Sequence, residues 1–314
     1  MSTEHKQAEK ILVTGETDNT GSAMILKQSW LPWRRSLLNQ IISNRKGEQK
    51  MNTLRISIRS LLQVIVVASL LLTASPVLAI IGGQPDGNGH PYVGAIDVRP
   101  TGRRIPCTGT LISPTVFLTA GHCTGFFDAA GLTEARVTFE PVFSDSATFY
   151  TSTVYTNPAF TRLQNDPGDF GVIVFAEPIE GITPALLPAA DLLSEYGPQG
   201  LHDVVFPTVG YGITRLLGGP EGGGQPDIDR NSAGTRMLAT QSFFSLTNAW
   251  LRLAMLNDGR SCTGDSGAPQ FLGNTDLVVA IGVAGDRSCE AMNGTLRLDT
   301  PSARAFLGQF VVLP

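Results

Sequence analysis

Short apolar and β-branched stretches recur along the chain after residue 90, and glycine and proline residues separate them. The clearest of these stretches cover residues 92–98, 115–119, 171–175, 204–209 and 277–283. Runs of this length between turn-forming residues predict β-strands. Long amphipathic helical patterns are scarce, and the pattern favours only a short helix over residues 302–310, after Pro301. The chain is therefore predicted to form an all-β barrel or sandwich and not an α/β fold.

The amino-terminal part has a different pattern, in which a basic stretch precedes a continuous apolar one. Met51 begins the basic stretch, and the apolar run covers residues 61–72. This run is shorter than the ~20 residues that a membrane-spanning helix needs, and the small residues Val77 and Ala79 follow it. We therefore expect a signal peptide over residues 51–79 and secretion to the extracellular space or the periplasm. The alternative is an uncleaved signal that anchors the protein at the membrane.

Residues 1–50 differ in composition from the rest of the chain, because all five lysines lie there. A signal sequence normally stands at the extreme amino terminus. Residues 1–50 are thus either an unusual extension or the product of a start codon assigned too early, and we favour the second interpretation. The folded domain is expected to comprise residues 80–314.

The charge and the cysteines of this expected domain restrict its environment and partners. It contains 13 arginines and 22 acidic residues, so its net charge is −9. This charge argues against a nucleic-acid partner or an anionic membrane partner. Its four cysteines, an even number in an oxidising compartment, predict two disulfides, although sequence alone allows three pairings. They are Cys107, Cys123, Cys262 and Cys289.

A glycine- and proline-rich segment at residues 218–234 interrupts the strand pattern. Its composition cannot bury much apolar surface, so we expect a mobile loop. Asp227, Asp229 and Asn231 imitate the start of a calcium-binding loop. However, residue 232 is serine and residue 238 is leucine, where such a loop needs glycine and glutamate. No metal site is therefore predicted.

One of the four histidines stands in a context that suggests catalysis. His5 lies in the doubtful extension, His90 lies in a turn-like segment, and His202 is isolated. His122 follows an apolar run and directly precedes Cys123. A serine nucleophile needs a histidine as its base and a carboxylate that orients the histidine. His122 is therefore the candidate base.

Six motifs occur in one order along the domain. They are Ile-Ile-Gly-Gly at 80–83, Cys-Thr-Gly-Thr-Leu-Ile-Ser at 107–113, Leu-Thr-Ala-Gly-His-Cys at 118–123, Asp-Phe-Gly-Val-Ile-Val-Phe at 169–175, Gly-Tyr-Gly at 210–212 and Cys-Thr-Gly-Asp-Ser-Gly-Ala-Pro at 262–269. Their order and spacing resemble the trypsin/chymotrypsin-like serine peptidases, and the resemblance covers essentially all of residues 80–314. It implies two packed antiparallel six-stranded β-barrels, an active site between them and a short C-terminal helix.

The resemblance also assigns chemical roles to residues of these motifs. His122 is implied to act as general base and then general acid, Asp169 to orient it, and Ser266 to attack the scissile carbonyl. The backbone N–H groups of Gly264 and Ser266 are implied to form the oxyanion hole. This chemistry needs no cofactor and no metal.

The implied disulfides join Cys107 to Cys123 and Cys262 to Cys289. The resemblance further implies an activation step, in which a freed ammonium group at Ile80 pairs with the carboxylate of Asp265. Because the expected signal cleavage falls immediately before Ile80, we expect export itself to activate the enzyme.

The resemblance places Arg260, Val283 and Gly285 at the pocket for the substrate residue before the scissile bond. Arg260 occupies the position at which trypsins have an aspartate, so substrates with Lys or Arg there are disfavoured. An arginine that points into the pocket favours an acidic guest, and one that turns towards Asp258 or Glu290 favours a small or apolar guest. Both alternatives stay open. Val283 lacks a hydroxyl that could donate to the aspartate of the triad.

Other classes of protein fit the motifs less well. An α/β-hydrolase needs glycine where this chain has Ala268, and its triad follows the order Ser, Asp, His. The Asp-Phe-Gly tripeptide at 169–171 matches a kinase motif but has no accompanying kinase signature. The sequence thus predicts a secreted, monomeric serine endopeptidase that acts on proteins or peptides through an acyl-enzyme. The alternative is a weak or inactive homologue that serves as a binding module.

Overall fold

The computed structural model describes residues 80–163, 165–217, 227–254, 259–285, 289 and 292–314. The expected extension at 1–50, the expected signal peptide at 51–79 and residues 218–226 of the glycine-rich segment lie outside this part, as do Asp258 and Glu290. Within the part that is described, no helix is long and apolar enough to cross a membrane.

The first barrel follows a short strand, β1 (Gln84–Pro85). Its six strands are β2 (Val93–Ile96), β3 (Cys107–Ser113), β4 (Val116–Thr119), β5 (Glu134–Thr138), β6 (Tyr150–Thr156) and β7 (Gly171–Phe175). They pair antiparallel in the closed order β2-β3-β4-β7-β6-β5. Apolar side chains fill the interior, including those of Phe117 and Phe175, which contact each other edge to face.

The second barrel also closes with six antiparallel strands. They are β8 (Val205–Gly210), β11 (Met237–Leu246), β12 (Trp250–Ala254), β13 (Pro269–Phe271), β14 (Val278–Gly285) and β15 (Met292–Arg297). The strand order is β8-β11-β12-β15-β14-β13, and β13 pairs with β8 to close the ring. Strand β1 pairs with the start of β11. The predicted chymotrypsin-like fold of two six-stranded barrels is confirmed.

In the part of the chain that the structure describes, three α-helices accompany the barrels: α1 (Gly121–Ala129), α2 (Leu192–Leu201) and α3 (Pro301–Leu307). Helix α3 confirms the predicted C-terminal helix, which ends at Leu307, three residues earlier than predicted. The Thr300 side chain accepts a hydrogen bond from the Ala303 N–H and caps its first turn. Helix α2 contains a kink at Gly197. The sequence pattern did not predict this helix.

The glycine-rich segment contains more structure than the predicted loop. Strand β9 (Leu216–Leu217) pairs with β10 (Asp227–Ile228) in a two-stranded ribbon, and a 3-10 turn follows over Arg230–Ser232. The Asp229 carboxylate accepts a hydrogen bond from the Asn231 N–H and forms an ion pair with Arg215. The prediction of a loop throughout 218–234 is therefore wrong for its described end, because this ion pair and the turn order it.

A buried arginine connects the two barrels. Arg236 lies directly before β11, and its guanidinium donates to the carbonyl oxygens of Val93 and Phe139 in the first barrel. It also donates to the Gly87 carbonyl and pairs with Asp86. The acceptors are three backbone carbonyl oxygens and the carboxylate of Asp86. The charge of Arg236 is therefore compensated where the two barrels meet.

Candidate active site

His122 and Asp169 make two hydrogen bonds to each other. The backbone N–H of His122 donates to Asp169 Oδ1 at 2.6 Å, and His122 Nδ1 lies 2.8 Å from Asp169 Oδ2. Because the carboxylate is an acceptor, a neutral imidazole in this position carries its proton on Nδ1. The other ring nitrogen, Nε2, is then left unprotonated and able to take up a proton.

The pairing of β4 with β7 explains why these two residues meet. Thr119 on β4 lies opposite Gly171 on β7, so the chain after β4 and the chain before β7 lie side by side. Helix α1 begins between them at Gly121. A Cβ atom at Gly121 would lie 2.7 Å from the Phe170 carbonyl oxygen, so only glycine permits this close approach.

Asp169 is almost fully buried, with 7% of its surface exposed. Among the residues that the structure describes, His122 alone donates hydrogen bonds to its carboxylate. The Val283 side chain is apolar and has no group that could donate a hydrogen bond to the Asp169 carboxylate. The orientation of the His122 ring therefore depends on a carboxylate with a single hydrogen-bonding partner residue.

Ser266 lies in the loop before β13, and a residue of the first barrel fastens this loop. The Thr108 N–H donates to the Ser266 carbonyl at 2.9 Å, and the Thr108 hydroxyl donates to the Gly264 carbonyl at 2.8 Å. The same hydroxyl oxygen accepts the Tyr211 N–H at 3.0 Å. Thr108 thus holds the Ser266 loop against the barrel that carries His122.

The backbone of this loop leaves two donors available. Gly264 has φ = 103°, a conformation that favours glycine. In the described part of the chain, neither the Gly264 N–H nor the Ser266 N–H has an acceptor. Two unsatisfied N–H groups in the loop that carries the Ser266 hydroxyl could stabilise a developing oxyanion.

His122 and Ser266 line one cavity of about 550 Å³. Within the described chain, no hydrogen bond joins their side chains. The structure therefore brings together all three residues that the sequence resemblance selected, and it hydrogen-bonds two of them.

Asp265 is buried and lacks a cationic partner among the described residues. Its Oδ1 accepts the Gly212 N–H and its Oδ2 accepts the Cys262 N–H, both at 2.9 Å. Burial raises the pKa of Asp265 to about 7, and the two hydrogen bonds lower it by less. A buried carboxyl group in this state would be stabilised by a cation.

Ile80 is also fully buried and packs with Met237 and Ala239 of β11. It has φ = 46°, and its carbonyl accepts the Gly83 N–H at 2.6 Å. The next residue, Ile81, forms a bridge with Arg260, which lies six residues before Ser266. The start of the domain is therefore anchored inside the second barrel.

The structure contains two disulfides, as the cysteine count predicted. Cys107 bonds to Cys123 and Cys262 bonds to Cys289, with Cα–Cα distances of 6.3 Å and 5.3 Å. The first joins β3 to α1 next to His122, and the second joins the Ser266 loop to the chain before β15. Cys107 and Cys123 lie close to His122, but as a disulfide they offer no thiolate to a metal.

A second cavity, of about 290 Å³, lies on another side of Ser266. Val283, Ala284 and Gly285 of β14 form one wall, as the resemblance implied for the first and last of these. Ser261 and Asn293 also line it. We call this cavity the β14 pocket and the larger one the arginine cavity, since Arg103, Arg104 and Arg230 line the larger one.

Two uncharged polar side chains, Ser261 and Asn293, line the β14 pocket, and Gln241 forms hydrogen bonds with both of them. Asn293 Nδ2 donates to Gln241 Oε1 at 3.1 Å and to Ser261 Oγ at 3.3 Å, and Gln241 Nε2 donates to Ser261 Oγ at 2.9 Å. All three residues are at least 90% buried. Sequence inspection did not select them, because serine, asparagine and glutamine carry no motif of their own.

Arg260 does not line the β14 pocket. Its backbone N–H donates to the Ile81 carbonyl at 2.8 Å, and the adjacent residue, Ser261, faces the pocket instead. In extended chain, successive side chains point in opposite directions, which accounts for the difference. Of the three residues implied for this pocket, Val283 and Gly285 line it and Arg260 does not.

Comparison with known proteins identifies the family. The family model described as Trypsin matches residues 80–304. The chain belongs to the trypsin family. The comparison with curated proteins found no match.

Two solved structures agree with the trypsin-family fold. The structure titled HL collagenase is 18% identical, with a TM-score of 0.58, and the match covers 73% of this chain and 97% of that one. A scabies mite inactivated protease paralogue, S-D1, is 14% identical with a TM-score of 0.56, over 73% and 96% of the two chains. At these identities the similarity shows the fold alone.

Proposed function

We propose that this trypsin-family protein is a secreted serine endopeptidase that hydrolyses peptide bonds through an acyl-enzyme. The observation that carries the proposal is the double hydrogen bond between His122 and Asp169 beside the cavity that also contains Ser266. A histidine with its Nδ1 against a buried carboxylate presents Nε2 as a base, which is the state that activates a serine.

In the first step, Ser266 Oγ attacks the carbonyl carbon of the scissile bond and gives its proton to His122 Nε2. Asp169 stabilises the resulting imidazolium and stays ionised. The negative charge on the carbonyl oxygen is stabilised by the N–H groups of Gly264 and Ser266. Collapse of this intermediate breaks the C–N bond, and His122 returns the proton to the leaving amine.

In the second step, water attacks the acyl-enzyme. His122 takes a proton from the water, and the same two N–H groups stabilise the second tetrahedral intermediate. Expulsion of Ser266 Oγ, with the proton from His122, releases the carboxylic acid and restores the enzyme. No step needs a metal or a cofactor.

Activation is proposed to follow cleavage before Ile80. The new ammonium group would compensate the Asp265 carboxylate, which is buried and has only backbone donors within the described structure. Asp265 lies directly before Ser266, so its position affects the loop that supplies Gly264 and Ser266. Removal of a signal peptide over residues 51–79 would then release an active, soluble monomer.

The lining of the β14 pocket suggests which residue precedes the scissile bond. Ser261 and Asn293 supply a hydroxyl and an amide group and no net charge. Among the described residues that line this pocket, Asp265 carries the carboxylate, and the proposed activation pairs it with the Ile80 ammonium. Lysine and arginine would therefore bury a cation there without a free carboxylate partner in the described lining, at a cost in affinity. An uncharged side chain, small or polar, is therefore the proposed guest.

A fluorophosphonate probe and intact mass measurement test the proposed function. The secreted protein is expected to begin at Ile80 and to gain one adduct on Ser266. Ser266→Ala should remove both the adduct and turnover, with a loss of around 10⁶ in rate. Proteolysis by Ser266→Ala at the rate of the unmodified protein would contradict the mechanism.

The second candidate function is a binding module without catalysis. Two observations favour it: one structural neighbour is an inactivated protease paralogue, and His122 and Ser266 are not hydrogen-bonded in the described structure. A correctly processed protein that resists the probe but binds a peptide would support this candidate. Labelling at Ser266 would exclude it.

A further inference from the structure

Three arginines line the cavity that contains His122 and Ser266. Arg103 and Arg104 belong to the segment between β2 and β3, and Arg230 belongs to the 3-10 turn after β10. All three side chains are exposed to solvent. Segments far apart in sequence thus contribute three positive charges to one concave surface.

These arginines have no carboxylate partner in the described part of the chain, unlike others in the protein. Arg99 and Arg215 form ion pairs with Asp97 and Asp229. Arg103 instead lies over the ring of Phe126, with Cζ 3.4 Å from the ring centroid. The described residues that line the arginine cavity include three arginines and no acidic residue, so this lining carries positive charge although the domain carries a net charge of −9.

The position of the arginine cavity relative to the proposed chemistry indicates which part of a substrate enters it. His122 lines the arginine cavity and does not line the β14 pocket. The proposed mechanism has His122 deliver its proton to the leaving amine, so the leaving half of the substrate lies on the His122 side. The β14 pocket, on the other side of Ser266, takes the half that becomes the acyl group.

We infer that the arginine cavity binds the segment after the scissile bond and selects substrates with acidic residues there. This inference rests on the proposed peptidase function and extends it to a substrate class. Arginine pairs with carboxylates through several N–H donors, and the cavity places its charges next to the bond that breaks. The preference is electrostatic and therefore weakens as the salt concentration rises.

Internally quenched peptides with one common acyl half test the inference. Their two residues after the scissile bond are Asp-Glu, Asn-Gln or Lys-Lys, and kcat/KM is measured for each at low and high salt. One exposed ion pair changes an equilibrium by up to about fivefold, so the Asp-Glu peptide should exceed the Asn-Gln peptide by about tenfold and the Lys-Lys peptide by more. High salt should reduce these ratios.

The double variant Arg104→Gln/Arg230→Gln identifies the residues responsible. The ratio of kcat/KM between the Asp-Glu and Asn-Gln peptides is expected to fall to about twofold or less. Arg103 stays unchanged because it packs on Phe126 beside His122. The matched control is Arg252→Gln, which removes a positive charge on β12 outside both cavities and should leave the ratio unaltered.

Fluorophosphonate labelling of each variant separates the inference from the function beneath it. Labelled protein that cleaves all three peptides equally would overturn the acidic preference and leave the peptidase function intact. A ratio of kcat/KM between the Asp-Glu and Asn-Gln peptides that is unchanged in the double variant would overturn the role of the arginine cavity in this preference and also leave the peptidase function intact. Protein that neither reacts with the probe nor cleaves any peptide would refute the proposed function, and the inference with it.

Discussion

Arg236 Nε lies 3.1 Å from Asp86 Oδ2, and both side chains are at most 1% exposed. Burial raises the pKa of Asp86, but the hydrogen bonds and charge of His90 and the charge of Arg236 lower it by more. The pKa is therefore below its usual value, and the carboxylate stays ionised. The same guanidinium supplies donors to backbone carbonyls of the first barrel. The pair is therefore part of the contact that fixes one barrel on the other.

Arg236→Met is expected to lower the free energy of unfolding by about 3–5 kcal/mol, because it leaves the buried Asp86 carboxylate without its arginine partner and removes a donor from the carbonyl oxygens of Val93, Phe139 and Gly87. Urea unfolding measures the change. Arg252→Met, on a half-buried β12 side chain that packs on Trp250, is the control and should cost much less. Equal losses in both variants would show that Arg236 contributes only ordinary packing.

The raised pKa of Asp265, about 7, predicts that the stability of the uncleaved precursor depends on pH. Between pH 4 and 7 the folded state keeps a proton that the unfolded state has released, so stability falls as the pH rises, by up to roughly 4 kcal/mol. In the cleaved protein, pairing with the Ile80 ammonium should remove this slope.

Urea unfolding of the precursor and of its Asp265→Asn variant, at several pH values from 4 to 8, isolates this effect from the other carboxylates. The difference in stability between the two proteins should change across that range. A difference that is independent of pH would mean that Asp265 is already ionised, and it would remove the reason for the proposed activation.

Gly264→Ala is expected to reduce kcat by about 10²–10³ and also to lower the free energy of unfolding, because a side chain there is strained. A Cβ atom at Gly264 would lie 2.7 Å from Gly212 Cα, and φ = 103° disfavours any side chain. The backbone would have to turn, which moves one proposed oxyanion donor. Gly273→Ala serves as control, because Gly273 also has positive φ but open space around it, and its variant should keep full kcat.

Asn293→Asp should change which residue is accepted before the scissile bond. It places a carboxylate in the lining of the β14 pocket, so kcat/KM for substrates with Arg there should rise about tenfold relative to those with Gln. The same substitution at the exposed Asn248, between β11 and β12, should have no effect. An unchanged Arg-to-Gln ratio in Asn293→Asp would mean that this side chain does not contact the guest.

Sequence patterns predicted the strands whose apolar residues are continuous, such as β7 (Gly171–Phe175), which starts and ends where predicted. They did not predict β6 (Tyr150–Thr156), in which polar residues alternate with buried ones and one face is solvated. Helix α2 also escaped prediction, because Gly197 and Pro198 interrupt its pattern.

The sequence likewise predicted some residues of the candidate site and missed others. The sequence motifs selected His122, Asp169 and Ser266 because their chemistry needs particular neighbours along the chain. Thr108 and Asn293 act through contacts with residues more than 50 positions away, which no local pattern records. The position of Arg260 was likewise left open, since it depends on the alternation of side chains at the Ile81 bridge.

The proposed triad takes two members from the first barrel and one from the second. β7 ends at Phe175 and β8 begins at Val205, so the chain crosses from one barrel to the other only once between Asp169 and Ser266. A break in that connection would give two fragments, each with its own strands and neither with all three residues. Catalysis would then report the reassembly of the halves, which makes this protein a candidate for a split reporter whose signal depends on the association of fused partners.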